Sequence, residues 1–249
     1  MNSSQDDCDL ADDVTLLLPS SLSKKGLALK LLANSRLIYW IACYSTMRGT
    51  HTLFVMLWGI LSSAIAPSEA MQRYNGLITC LAYGVAAVVV LLVARFERRL
   101  HARPVLWTVI GYSVSGVMLL TMPLCPNLAF YALLHVIYNA FSEATLALVV
   151  TQAAWAVKDT VAPHPHLLQV AYVFSMGLRF MTSLTVQALL QLSLYPTWGS
   201  VNNIFALQLD IRAQFKALGI VILFAGAVAA AAIGIMPRQV AADVSKLYQ

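Results

Sequence analysis

The sequence is short of charge. Only 11% of its 249 residues are Asp, Glu, Lys or Arg, less than half of the roughly 25% usual in soluble domains. Hydrophobic residues make up 59%, and the mean hydropathy is +0.73. A soluble fold of this size has too little polar side chain to cover that much apolar surface; a bilayer removes the requirement. Cysteine is also sparse. Cys8, Cys43, Cys80 and Cys125 are scattered with no CxxC spacing, which excludes a disulfide framework and a zinc site. There is no HExxH pair and no phosphate-loop lysine pattern, so neither metalloprotease chemistry nor ATP-driven transport by this chain is expected. Ser115-Gly116 lacks the flanking context of an intramembrane serine protease, and no histidine spacing completes a dyad. His164 and His166 alternate with Pro163 and Pro165, which reads as a rigid turn. The expectation is a chain that is not an enzyme and takes no cofactor or metal. A basic n-region is missing too: Asp6, Asp7, Asp9, Asp12 and Asp13 stand where a secretory signal needs positive charge.

What the sequence does contain is apolar length. A membrane-crossing helix needs about 20 such residues. Six segments qualify: Leu37 to Leu61, Leu77 to Val93, Pro104 to Met122, Leu128 to Val150, Leu168 to Leu192 and Ala217 to Met236. Pro67, Pro123, Pro126, Pro163, Pro165, Pro196 and Pro237 fall in or beside the connections, where proline does not break a helix interior. The expected fold class is therefore an all-α integral membrane protein of six transmembrane helices. Its expected parts are a flexible cytoplasmic arm over 1–34, a transmembrane domain over 35–237 and a cytoplasmic tail over 238–249.

The net charge of +5 lies in short runs between the apolar segments rather than on one solvated face. It therefore reports topology and predicts no nucleic-acid partner. Lys24, Lys25, Lys30, Arg36, Arg95, Arg98, Arg99, Arg103, Lys158, Arg238 and Lys246 fall on one side of the predicted bundle. Arg73, Arg212 and Lys216 fall on the other. The bias places both termini in the cytoplasm.

Ionisable residues at bilayer depth cost about 2.5–3.5 kcal/mol each on insertion scales and usually face a partner or a water-filled path. Arg48, Glu143 and Arg179 lie near mid-span of the first, fourth and fifth segments. Each belongs to a stripe at helical spacing. Tyr44, Arg48 and His51 form the first; His135, Asn139, Ser142 and Glu143 the second; Ser175, Arg179, Ser183 and Gln187 the third. Three stripes at similar depth predict helices that face one polar cavity. The structural alternative is an Arg48–Glu143 pair that only sets helix packing, with serine and asparagine joining helices by hydrogen bonds.

Several short matches, in order and at consistent spacing, carry a resemblance. They are Tyr39-Trp40, Leu57-Trp58, Pro67-Ser68, Tyr74-Asn75-Gly76, Gly84-Val85-Ala86-Ala87, Thr151-Gln152-Ala153 and Val173-Phe174-Ser175. From about Arg36 to Met236 the chain resembles the C-terminal half of the reduced folate and thiamine carriers, a branch of the major facilitator superfamily. The resemblance implies helices seven to twelve of a twelve-helix carrier in the plasma membrane, with the acidic start matching the central cytoplasmic loop. It implies alternating access to a vitamin substrate between two six-helix halves. Arg48, His51, Tyr44 and Asn139 would then face the solute, Glu143 would meet a cationic group or Arg48, and Arg179 would help set the cavity potential or hold an inter-helix pair. Anion-carrying members of the family place an arginine near Asn139 and a lysine near Thr185, and this chain has neither. Glu143 suits a cation such as thiamine. One half lacks an opposing wall, so a partner is expected: a second six-helix half or a second copy of this chain. The contrasting expectation is a membrane protein that transports nothing and serves as an assembly partner.

Overall fold

In a computed structural model, residues 24–65, 69–96, 100, 102–194, 197–198, 201–202, 207 and 209–232 are described. They are almost entirely helical. The first element, α1 (Lys24–Leu32), falls within the arm expected to be flexible. Leu27 and Leu31, four apart, are buried in the core and hold it as a helix. The rest of the predicted arm and the predicted tail lie outside the described residues.

Six long helices follow. They are α2 (Ser35–Ile65), α3 (Glu69–Arg95), α4 (Pro104–Thr121), α5 (Leu128–Val161), α6 (Leu168–Leu194) and α7 (Ile211–Ala231). Local chemistry sets several of their ends. Asn34 accepts from Leu37 N through Oδ1 at 3.0 Å, and Asn127 accepts from Phe130 N at 3.0 Å. Asp210 accepts from Ala213 N at 2.7 Å. Each satisfies a backbone donor that the first helical turn leaves open. Pro104 opens α4 at a position where its missing N–H costs nothing. Single 3-10 turns, Met122–Leu124 and Pro165–Leu167, join α4 to α5 and α5 to α6. A two-residue ladder pairs β1 (Thr197–Trp198) with β2 (Val201–Asn202) before α7. Two boundaries differ from the hydropathy reading. Helix α5 continues eleven residues past Val150 to Val161. Helix α7 begins at Ile211 instead of Ala217, and its expected end at Met236 lies outside the described residues.

Five stretches are long and apolar enough to cross a membrane: Tyr74–Arg95, Pro104–Leu124, Leu128–Val161, Pro165–Leu194 and Ile211–Ala231. That is one fewer than the six expected. Helix α2 has the length, at 31 residues, but polar residues along its middle dilute its apolarity. Side-chain placement fits a lipid solvent. Leu91 and Val173 are 70% and 72% exposed, while His51, Asn139 and Gln152 are buried. A soluble protein does not leave so much large apolar side chain on its outside. The described chain has the build of a multi-pass helical membrane bundle.

Helix pairing is organised in a specific way. Helix α4 packs on α7, α3 on α5, and α2 on α6; α2 and α5 also cross each other at the centre. Helix α4 touches α5 as α7 touches α2, and α2 touches α3 as α5 touches α6. Among the six long helices, these principal pairings map onto themselves when α2, α3 and α4 are exchanged with α5, α6 and α7. Tyrosines tie the centre together. Tyr112 donates to Cys43 O at 2.5 Å, Tyr131 to Trp58 O at 3.1 Å and Tyr39 to Ala229 O at 3.3 Å.

Candidate functional site

Helix α3 lies on α5 and touches α2 only slightly. The resulting gap between α2 and α3, with α5 behind it, is a cavity of about 700 Å³. Helix α2 contributes Arg48, His51, Thr52 and Val55, α3 contributes Tyr83, Ala87, Val90 and Leu91, and α5 contributes Glu143. One wall therefore carries charge and hydrogen-bonding groups, and the other is apolar apart from Tyr83.

The charged wall is a connected cluster. Arg48 Nη1 lies 3.6 Å from Glu143 Oε1, and His51 Nε2 lies 3.3 Å from the same oxygen. Behind them, His51 Nδ1 is 3.3 Å from Ser142 Oγ. That hydroxyl also reaches Asn139 O at 3.2 Å. The His51 ring stacks on Tyr138 with centroids 5.8 Å apart. Exposure is graded: the Arg48 side chain is 45% exposed, Glu143 26% and His51 3%. Arg48 thus stands at the mouth, Glu143 in the middle and His51 at the back. Helical geometry explains the convergence. Arg48 and His51 are three apart on one face of α2, and adjacent Ser142 and Glu143 present to that face where α5 crosses α2.

The remaining residues predicted for the site sit elsewhere. Tyr44 and Arg179 meet each other, with the guanidinium carbon 5.6 Å from the tyrosine ring centre, a cation–π distance. Arg179 Nε is buried without a hydrogen-bond partner. This pair lies between α2 and α6 and does not line the α2–α3–α5 cavity. Asn139 is buried, and its Nδ2 donates to His135 O at 2.8 Å. It reaches the cluster only through its backbone carbonyl, which Ser142 meets. The three predicted stripes therefore resolve into one charged cavity and one separate arginine–tyrosine contact.

Two cavity residues escape a stripe-based reading. Tyr83 is a single polar-tipped aromatic in an otherwise apolar stretch of α3, and Thr52 is one of several hydroxyls along α2. The only signal for Tyr83 was its position near the middle of a predicted span. Among the described residues, no group of three His, Cys, Asp or Glu side chains is placed to hold a metal ion.

Fold and site together define the class: a helical membrane bundle with a charged cluster on the wall of an open cavity. No protein family, curated protein or solved structure matches the chain.

Proposed function

We propose that the chain is the six-helix C-terminal-type half of a secondary carrier, and that it moves a vitamin, thiamine or a reduced folate, by alternating access. The observation that carries this reading is the Arg48–Glu143–His51 cluster, close to the middle of long helices and open to a 700 Å³ cavity. Ionised groups at that depth are costly unless they face a partner or a water-filled path; here Arg48 and Glu143 face each other and the cavity. The cavity has the size of a small-molecule site, with an apolar wall for a flat ring and a few convergent polar groups to orient it.

The helix pairing supports the same reading. If α2 joins the five apolar helices in crossing the membrane, helices three apart run in opposite directions. The exchange that maps the pairing onto itself is then an inverted three-plus-three repeat, the construction of each half of a major facilitator. The first helices of the two repeats are α2 and α5, and they carry the cluster. Both termini then lie on one side, which the charge bias makes cytoplasmic, and the plasma membrane follows from the resemblance.

A second reading rests on the open side of the cavity. Its walls come from α2, α3 and α5, so a carrier needs another bundle opposite them. As a non-transporting assembly partner, the chain would supply this face to another six-helix protein.

One experiment separates the readings. Labelled thiamine and a labelled reduced folate are offered to cells displaying the chain, with Arg48→Gln and Glu143→Gln matched for surface expression. The carrier reading expects saturable uptake of one vitamin, at least tenfold lower in both variants. Equal accumulation in cells with and without the chain would sink transport by this chain and copies of itself, and favour the assembly-partner reading.

A further inference from the structure

The hydrogen-bond wiring behind Glu143 has two self-consistent states, and they differ by one proton. Ser142 has a single hydroxyl hydrogen and two acceptors in reach, His51 Nδ1 at 3.3 Å and Asn139 O at 3.2 Å. In one state Ser142 donates to Nδ1. The neutral His51 then carries its hydrogen on Nε2, 3.3 Å from Glu143 Oε1. The carboxylate is ionised and also faces Arg48. In the other state the Ser142 hydroxyl turns to Asn139 O and accepts from Nδ1–H. A second hydrogen then lies on Glu143 Oε1, facing Nε2. In both states each donor of His51, Ser142 and Glu143 has an acceptor within 3.3 Å, the arrangement a buried group requires.

We propose that His51 and Glu143 form a single-proton site, with Ser142 as its swivel, and that loading this site releases Arg48 to hold an anionic group in the cavity. The proton comes from cavity water. The His51–Glu143 pair gains one hydrogen: the Nδ1–H and Oε1–H bonds form, the Nε2–H bond breaks, the serine hydrogen changes acceptor, and no other covalent bond changes. The pair becomes neutral overall, so the attraction holding Arg48 to Oε1 falls away. Arg48 is the most exposed member of the cluster, which makes it the group an entering anion meets first. An anion that bound without the proton would leave Glu143 ionised beside it. Charge balance therefore links one anionic group to one proton.

Helices α7 and α1 also pack on α2 and carry Arg212 and Lys216, and Lys24, Lys25 and Lys30; the neighbours on α2 to α6 are these. From α2 come Arg48 and His51, and from α3 comes Tyr83, which faces both Arg48 and Glu143. From α5 itself come Tyr138, beside Glu143, and His135, beside His51. Helix α4 has no charged residue, and its Tyr112 is committed to Cys43 O. On α6, Arg179 is committed to Tyr44. Glu143 is thus the one carboxylate among these groups, and Arg48 is its one fixed positive charge.

The proton site stands on its own geometry; its link to a carried solute rests on the carrier reading above. The test therefore uses no solute. The full chain is placed in nanodiscs and titrated between about pH 4 and pH 9, and the infrared signal of a protonated carboxyl is followed. The expected result is a carboxyl band that Glu143→Gln abolishes. Arg48→Gln should shift its midpoint upward by about one pH unit, a tenfold change in proton affinity, because the cation favouring the ionised form is gone. Ser142→Ala should also move the midpoint, because Nδ1 loses its donor in the unloaded state and its acceptor in the loaded one. If Glu143→Gln does not fold, the Arg48 and Ser142 shifts alone decide. A band indifferent to Glu143→Gln, or a midpoint unmoved by both Arg48→Gln and Ser142→Ala, overturns the proposal. A positive titration in a chain that takes up neither vitamin would leave the proton site standing and remove only the carrier.

Discussion

The contact of α4 with α7 rests on two facing glycines, and a single methyl group tests it. A Cβ added at Gly219 would sit 2.9 Å from Gly116 O and 2.8 Å from Leu120 Cγ. A carbon–oxygen contact across a helix pair ordinarily falls at about 3.3–3.6 Å. The overlap is therefore roughly half an ångström, and one of the obstructing atoms belongs to the backbone of α4. No rotamer change can move it, so the helices must part along the most extensive interhelical contact in the bundle. Overpacking of this kind costs about 1–3 kcal/mol. The intrinsic helix preference for alanine over glycine, up to about 1 kcal/mol, works in the opposite direction. Gly177 isolates that second effect, because a Cβ there meets nothing within 4 Å. Gly177→Ala and Gly219→Ala share the preference and differ only in the clash. Reversible unfolding in mixed micelles, followed by far-ultraviolet circular dichroism, should place Gly219→Ala below Gly177→Ala by about 1–3 kcal/mol. Two variants equal within about 0.5 kcal/mol would mean that α4 and α7 do not approach this closely.

Three further outcomes follow from particular contacts. The Arg48–Glu143 separation of 3.6 Å corresponds to about 4–5 kcal/mol of attraction at an effective dielectric near 20, and about 1 kcal/mol in water. A double-mutant cycle with Arg48→Gln and Glu143→Gln should give a coupling of about 1–4 kcal/mol; additivity would deny the pair. Asn34 caps Leu37 N and also donates to Thr160 Oγ1 at 2.6 Å. Asn34→Ala should therefore lower unfolding stability by about 1–2 kcal/mol. Breaking the exposed Arg36–Asp159 pair next to it, 3.1 Å apart, should cost under about 1 kcal/mol, and the reverse order would contradict the burial argument. Tyr112→Phe removes the buried bond to Cys43 O and should cost about 1 kcal/mol in the same unfolding assay, whereas an unchanged midpoint would mean that the hydroxyl holds nothing.

Hydropathy located the elements well and their ends poorly, for identifiable reasons. Helix α5 continues to Val161 because Gln152, Ala153, Ala156, Val157 and Val161 share a buried face. That spacing was visible in the sequence, but Lys158 and Asp159 lowered the local apolarity and hid it. Helix α7 starts at Ile211 because Asp210 caps it; Arg212 and Lys216 look like loop residues only when charge is counted without regard to helical face. Leu27 and Leu31 of α1 are apolar residues whose burial depends on tertiary packing. Nothing local separates them from leucines in a flexible arm.

The site was partly legible for the same reason that α2 fell short as a span. Its middle holds Ser45, Thr46, Arg48, Thr50, His51 and Thr52. Several of the hydroxyls are answered within their own helix: Ser45 donates to Ile41 O at 2.7 Å, Thr46 to Ala42 O at 3.0 Å and Thr52 to Arg48 O at 2.9 Å. They lower the apolarity of α2 while leaving little exposed polarity for lipid to solvate. Arg48 and His51 are different, because no backbone carbonyl of α2 answers them. Their partners are Glu143 and Ser142 on α5, which is why charged residues spaced three apart on one helix pointed to a second helix. What spacing cannot convey is which stripes converge. Arg179 has the same helical placement as Arg48, yet α6 packs on α2 at a face where Tyr44, and no carboxylate, stands opposite. The polar residues that keep α2 out of the set of apolar helices long enough to cross a membrane are therefore partly the ones that build the cavity wall.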